Sequence, residues 1–142
     1  MSAAKKRRVN RIVLDASAVL AALNREPGSE MVASVFSGAT ISAVNYSEVL
    51  KKSIEFGGEL SKVRALLDRQ SLKIIPFDEM CAVAAASILP QTSNFGLSFA
   101  DRACVSLGMQ LAYVVLTAES RMSLPKLGIE VRLIRKAGKP RS

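Results

Sequence analysis

Short runs of branched apolar residues alternate along this chain with longer stretches whose apolar positions recur three and four residues apart. The run RIVLD (11–15) suits a strand buried on both faces, and SAVLAALN after it reads as a helix closed by Asn24, with Pro27 and Gly28 making a break. A second helical pattern carries Met31, Val32, Val35 and Phe36 from Ser29 to Gly38, and ATIS (39–42) is a brief strand. Val49, Leu50, Ile54 and Phe56 keep helical spacing from Val44 to Phe56, where Gly57 and Gly58 stop the helix. Leu60, Val63, Leu66 and Leu67 mark another helix, LKIIPF (72–77) is a strand that Pro76 ends, and Asp78 caps an Ala-rich helix reaching Leu89. Residues 90–97 read as loop, and Ser98 as the cap of a helix that Gly108 terminates. AYVVLT (112–117) is the clearest buried strand, and EVRLI (130–134) a last, more exposed one. Strands alternating with helices predict an α/β fold with a parallel sheet covered on both faces.

A length of 142 residues fits one domain, and 49% hydrophobic with 23% charged residues is globular composition. No apolar run reaches transmembrane length, so no membrane association is expected. The start, with Lys5, Lys6, Arg7 and Arg8 before an apolar run, imitates a signal peptide, but Asp15 interrupts that run. The chain therefore divides into a basic tail (1–10), a folded body (11–135) and a second basic tail (136–142). Cys81 and Cys104 have no paired spacing; they read as buried small hydrophobes, which suits a reducing cytoplasm. The net charge of +8 resides at the ends: residues 12–131 hold 10 basic and 12 acidic groups. Such tails suit phosphate backbones or simply solubilise the chain.

The absence of His narrows the chemistry further, because it excludes Ser-His-Asp and Cys-His nucleophiles and His-containing zinc sites. With no Trp and only 5% aromatic residues, a base-stacking platform is not expected. What remains is carboxylate chemistry. In an open parallel sheet the ligand crevice lies beyond the carboxyl ends of the strands. Asp15 ends the first strand and Glu119 closely follows AYVVLT; Glu48 lies early in its helix and Asp101 in the first turn after Ser98. Converging there, four acids would repel one another unless a cation bound, and an oxygen-only donor set favours Mg²⁺ or Mn²⁺. Each acid also has an ordinary reading. Glu48 beside Lys51 and Lys52 is a solvated helix residue, Glu119 a helix-start acid, and Asp101 a partner for Arg102. Asp15 after IVL is harder to explain away, because burying an uncompensated carboxylate is costly.

Four blocks around these acids, VLDASAVLAALN with EPG after it, SAVNYSEVL (42–50), GLSFADRACVSLG (96–108) and VLTAESRM (115–122), resemble the acidic blocks of the PIN-domain family. Within it they most resemble VapC-type toxin ribonucleases. The resemblance runs from Arg11 to about Ile134. It implies a three-layer α/β/α sandwich with a central parallel sheet and an acidic pocket. It also implies Mg²⁺- or Mn²⁺-dependent endoribonuclease activity, a homodimer, and a small DNA-binding antitoxin of VapB type. Carried over block by block, Asp15, Glu48 and Asp101 match family acids, and Ser17 matches the small hydroxyl residue two positions after the first acid. Glu119 departs, since the family usually has Asp there; its longer arm would reach the ion directly or through water.

In the reaction implied, Asp15, Asp101 and Glu119 hold the ion and Glu48 orients or deprotonates the attacking water. Thr117 orients a neighbouring carboxylate or water. Arg102 fixes the acids, contacts a partner, or makes a structural salt bridge, the last being the plainest reading. The rivals are a solitary RNA-processing nuclease, a phosphoryl-accepting signalling domain and a catalytically silent relative. A phosphoryl acceptor wants a second acid beside the first strand, and a haloacid-type phosphatase wants an Asp where Ser17 stands.

Overall fold

The computed structural model describes residues 10–136; the sequence-predicted basic tails lie almost wholly outside them. Strand β1 (Ile12–Leu14) leads into helix α1 (Ala16–Leu23), which Asn24 closes as expected. Then come α2 (Ser29–Val35), β2 (Thr40–Ser42), α3 (Ala43–Glu55), α4 (Leu60–Arg69) and β3 (Lys73–Ile75). Helix α5 (Glu79–Ser87) starts on Asp78, and α6 (Leu89–Thr92) follows. Helix α7 (Phe99–Leu111), β4 (Val114–Thr117) and β5 (Val131–Leu133) complete the order.

All strand pairings are parallel, and the order across the sheet is β3-β2-β1-β4-β5. The expected α/β sandwich is therefore present. Alternation along the strands divides the core. Leu14 and Leu116 pack with Val19, Val32, Ile41, Val49 and Leu67 in one buried cluster. Val13 and Val115 join Cys104, Val105, Leu107 and Met122 in the other. Successive residues of β1 and β4 thus feed opposite layers, which is why both strands read as unbroken apolar runs. Cys81 and Cys104 are buried free thiols, and burial pushes both above the ordinary thiol value, Cys104 the further.

Two expectations are corrected. Gly108 does not end α7, which continues to Leu111 and closes on Ala112 in the left-handed region (φ 57°). Gly108 serves packing instead: a Cβ there would lie 2.6 Å from Val115 Cγ2, so the missing side chain lets α7 approach β4. Residues 90–97 are not all loop, because α6 and a 3₁₀ turn at Ser93–Phe95 occupy most of them. Pro90 in the first turn of α6 is compatible with a helix start.

The strand order reverses direction at β1. Chain connections diverge from β1 towards β2 on one side and β4 on the other, so the crevice such sheets use opens at the carboxyl ends of β1 and β4.

Candidate functional site

Asp15 occupies that crevice because it is the last extended residue after β1 and the N-cap of α1. Its Oδ1 accepts the Ala18 N–H at 2.9 Å, satisfying one of the amides that a helix start leaves free. Two hydroxyls complete its surroundings. Ser17 Oγ lies 2.7 and 2.9 Å from the two carboxylate oxygens, and Thr117 Oγ1, at the end of β4, donates to Oδ2 at 2.6 Å. Each hydroxyl is itself held: Ser17 Oγ accepts the Ala118 N–H and Thr117 Oγ1 the Glu119 N–H, both at 2.9 Å. The carboxylate's orientation is therefore set by two strand ends and one helix start.

Asp15 is 4% exposed, and none of the ion pairs among the described residues includes it. Burial raises its carboxyl to about 6, outweighing the hydrogen bonds from Thr117, Ala18 and Ser17, with the charge of Asp101 adding to the rise. Among the described residues a carboxylate so placed lacks a positive partner.

Asp101 is positioned by a capping box. Ser98 Oγ accepts the Asp101 N–H at 3.1 Å and Asp101 Oδ2 accepts the Ser98 N–H at 2.9 Å, which fixes the carboxylate at the start of α7. Glu48 is half-buried on α3. One turn before it, buried Asn45 donates from Nδ2 to Ala100 O at 3.1 Å, tying α3 to the first turn of α7. Asp15, Asp101 and Glu48 all lie near enough to Cys104 for their charges to oppose its ionisation, after burial itself. The Glu119 side chain is exposed and lines a cleft of about 560 Å³ with Ser17, Lys51, Lys52, Arg135 and the acids Glu26 and Glu55.

Arg102 does not reach the acids. Its Nη1 donates to Ala85 O at 3.0 Å and its guanidinium lies 5.9 Å from the Phe99 ring centre, so it joins α7 to α5. The structural salt bridge expected for it is absent among the described residues. The cation beside Asp101 is Arg121, with Nη2 3.4 Å from Oδ2. Sequence reasoning passed over Arg121 and Asn45. Asn45, three residues before Glu48, carried a usable helical-spacing signal, whereas the Arg121 contact spans the fold and carried none.

Among the described residues no three Asp, Glu or Cys side chains gather closely enough to enclose an ion by themselves. The donor set nevertheless suits one kind of ion. Mg²⁺ commonly binds through one or two carboxylates, keeps several waters and takes its remaining ligands from substrate phosphate. Asp15, buried without a counter-charge, and Asp101, whose charge it feels, offer that pair.

The family model described as PIN domain matches residues 12–126. No curated protein matches the chain. Among solved structures, a DNA-bound VapBC complex from Salmonella typhimurium is similar to this chain with a TM-score of 0.68 at 17% identity, covering 89% of this chain and 99% of that one. A toxin-antitoxin complex from Klebsiella pneumoniae gives 0.66 at 11% identity, covering 80% and 90%. VapBC2 from Rickettsia felis, bound to a DNA fragment from its promoter, gives 0.65 at 15% identity, covering 86% and 97%. At these identities the likeness is one of fold.

Proposed function

The chain belongs to the PIN-domain family, and from that premise we propose that it is a divalent-metal-dependent endoribonuclease of VapC type, the toxin of a toxin–antitoxin pair. The observation that carries this reading is Asp15: a buried carboxylate at the switch point of a parallel sheet, held by two hydroxyls and, among the described residues, without a positive partner. Asp15 and Asp101 would hold Mg²⁺ or Mn²⁺, with Glu119 contributing from the cleft side. When bound, the ion supplies positive charge against the phosphate and lowers the pKa of water nearby. The chain's own groups do the rest. Ser17 and Thr117 keep the Asp15 carboxylate aimed, and Glu48 accepts the proton of the attacking water. Lys51, Lys52 and Arg135, lining the cleft beside Ser17 and Glu119, meet the phosphates of a single RNA strand, Lys51 and Arg135 by exchanging their pairs with Glu55 and Glu26.

Ile134 N–H bonds Thr117 O, so Arg135 follows beside the proposed site, where it lines the cleft with Glu119. A small antitoxin of VapB type is the proposed partner, supported by the VapBC complexes that share the fold. A homodimer is also proposed, with Met80 and Val83 of α5, 71% and 63% exposed, as apolar surface for it. No helix among the described residues is long and apolar enough to cross a membrane, which suits the cytoplasmic site of action proposed.

The test is cleavage of a single-stranded RNA in Mg²⁺ or Mn²⁺, and again after EDTA. Metal-dependent internal cleavage is the expected result. Undiminished cleavage in EDTA, or none with either ion, would overturn the reading.

A further inference from the structure

Arg121 sits in a 3₁₀ turn (Ser120–Ser123) just after β4 and reaches across to Asp101 on α7. The other ion pairs among the described residues lie elsewhere: Lys51 with Glu55 within α3, Lys62 with Glu59 at the start of α4, Arg132 of β5 with Glu130 just before it, and Arg135 with Glu26. Arg121 alone among them brings a cation to a carboxylate of the proposed site. We propose that Arg121 is a placeholder for the divalent ion: it neutralises Asp101 while the site is ion-free, and it is released to the RNA phosphate when an ion takes that carboxylate. This inference rests on the reading of the site given above.

Three features make Arg121 the partner that moves. Asp101 is fixed, since its Oδ2 also accepts the Ser98 N–H within the capping box and its side chain is only 13% exposed. The turn that carries Arg121 is fixed too, because the next residue, Met122, is fully buried with its sulfur 3.4 Å from Thr117 Oγ1. Only the guanidinium is loose. Its side chain is 47% exposed, and its contact with Asp101 is a single 3.4 Å approach rather than a paired fork, a geometry of low strength. With a divalent ion on Asp101, the guanidinium would lose its partner, and its five-donor fork would be free to pair with a phosphate of the RNA.

The exchange predicts two opposite effects of one substitution. Titration of the full chain with Mn²⁺ in the absence of RNA, followed by calorimetry, should show Arg121→Gln binding the ion on the order of 5-fold more tightly than wild type. Arg121→Lys, which keeps the charge, should stay near wild type. At saturating Mn²⁺, Arg121→Gln should cleave RNA more slowly by about 10-fold or more despite holding the ion better. A merely structural arginine would not tighten the ion and slow the reaction together. Equal or weaker Mn²⁺ binding by Arg121→Gln, with wild type binding normally, overturns the placeholder and leaves the site reading intact. Unchanged cleavage by Arg121→Gln overturns the phosphate contact. A wild-type protein that binds no Mn²⁺ overturns both the placeholder and the metal site.

Discussion

The chain twice builds the same device, a strand followed by an aspartate that caps a helix, and the two copies end in opposite electrostatic states. Asp15 follows β1 and accepts the Ala18 N–H at 2.9 Å; Asp78 follows β3 and accepts the Cys81 N–H at 3.0 Å. As caps they are equivalent, although Ser17 adds a hydroxyl to Asp15 where Asp78 has Met80. Yet burial raises the Asp15 carboxyl to about 6, whereas the amide of Cys81 holds the exposed Asp78 carboxyl below its ordinary value. The difference is position in the sheet. β1 is paired on both sides, so β4 delivers Thr117 against Asp15 and closes off water, while β3 is an edge strand paired only with β2. Helix capping is a property of a few consecutive residues; whether the cap is also a reactive carboxylate is decided by what the neighbouring strand brings.

Substitution of the two caps should separate these roles most sharply. Asp15→Asn keeps a capping side chain, so the fold should persist while metal-dependent RNA cleavage falls by about 100-fold or more. Asp78→Ala should leave cleavage unchanged and lower the melting temperature slightly. Rates and melts of both variants check this, and near-wild-type cleavage by folded Asp15→Asn would erase the distinction.

The pH dependence of stability should differ next, and in sign. Because the folded-state value of Asp15 lies above the ordinary 3.8, folding favours its protonated form. The metal-free protein should therefore lose stability as pH rises from about 4 through 6, by on the order of 3 kcal/mol in all. Asp15→Asn should remove most of that loss and melt higher than wild type at pH 8. Asp78, whose folded value is depressed, adds stability above its ordinary value that disappears as pH falls through the folded one. Denaturant titrations across pH without divalent ions measure both slopes.

Divalent ions should reverse the disadvantage of Asp15. Mn²⁺ at about 100 times its dissociation constant stabilises a one-site protein by roughly 2.7 kcal/mol. Wild type and Asp78→Ala should show the rise in melting temperature, and Asp15→Asn should not. A wild-type melt indifferent to millimolar Mn²⁺ would count against the ion site.

These contrasts also show where the sequence was legible. The Asp78 cap, the strand runs and the parallel α/β arrangement follow from neighbouring residues, so local pattern sufficed for them; Asp15 read only as a strand end, and its capping of α1 came from the structure. Gly108 misled because a glycine late in a helical pattern resembles a terminator; its actual reason, the approach of Val115 from β4, is a contact between separate elements. For the same reason adjacency in the chain points Arg102 to Asp101, whereas the structure gives Asp101 to Arg121 and sends Arg102 to Ala85. The burial of Asp15 could be suspected from IVL before it, and the resemblance already pointed to Ser17 and Thr117, but not to Asp15 as the carboxylate on which both hydroxyls meet. Thr117 lies 102 positions away and meets Asp15 only because β4 pairs directly with β1.

That pairing supplies the finest test of the comparison, since Thr117 is the contact Asp15 has and Asp78 lacks. Thr117→Val preserves the shape of the side chain but removes the hydroxyl that donates to Asp15 Oδ2 at 2.6 Å and accepts the Glu119 N–H at 2.9 Å. Losing a donor to the charged form should push the Asp15 carboxyl further above 6, moving the pH-dependent loss of stability to higher pH. The orphaned Glu119 amide should lower stability at all pH by on the order of 1 kcal/mol. Thr117→Ser keeps the hydroxyl and should restore the wild-type pH profile, although the lost methyl leaves it somewhat less stable at this fully buried position. Melts of both variants from about pH 4 to 8 distinguish the cause. A valine variant with the wild-type pH profile would mean that burial alone sets the state of Asp15, and that β4 acts only by covering it.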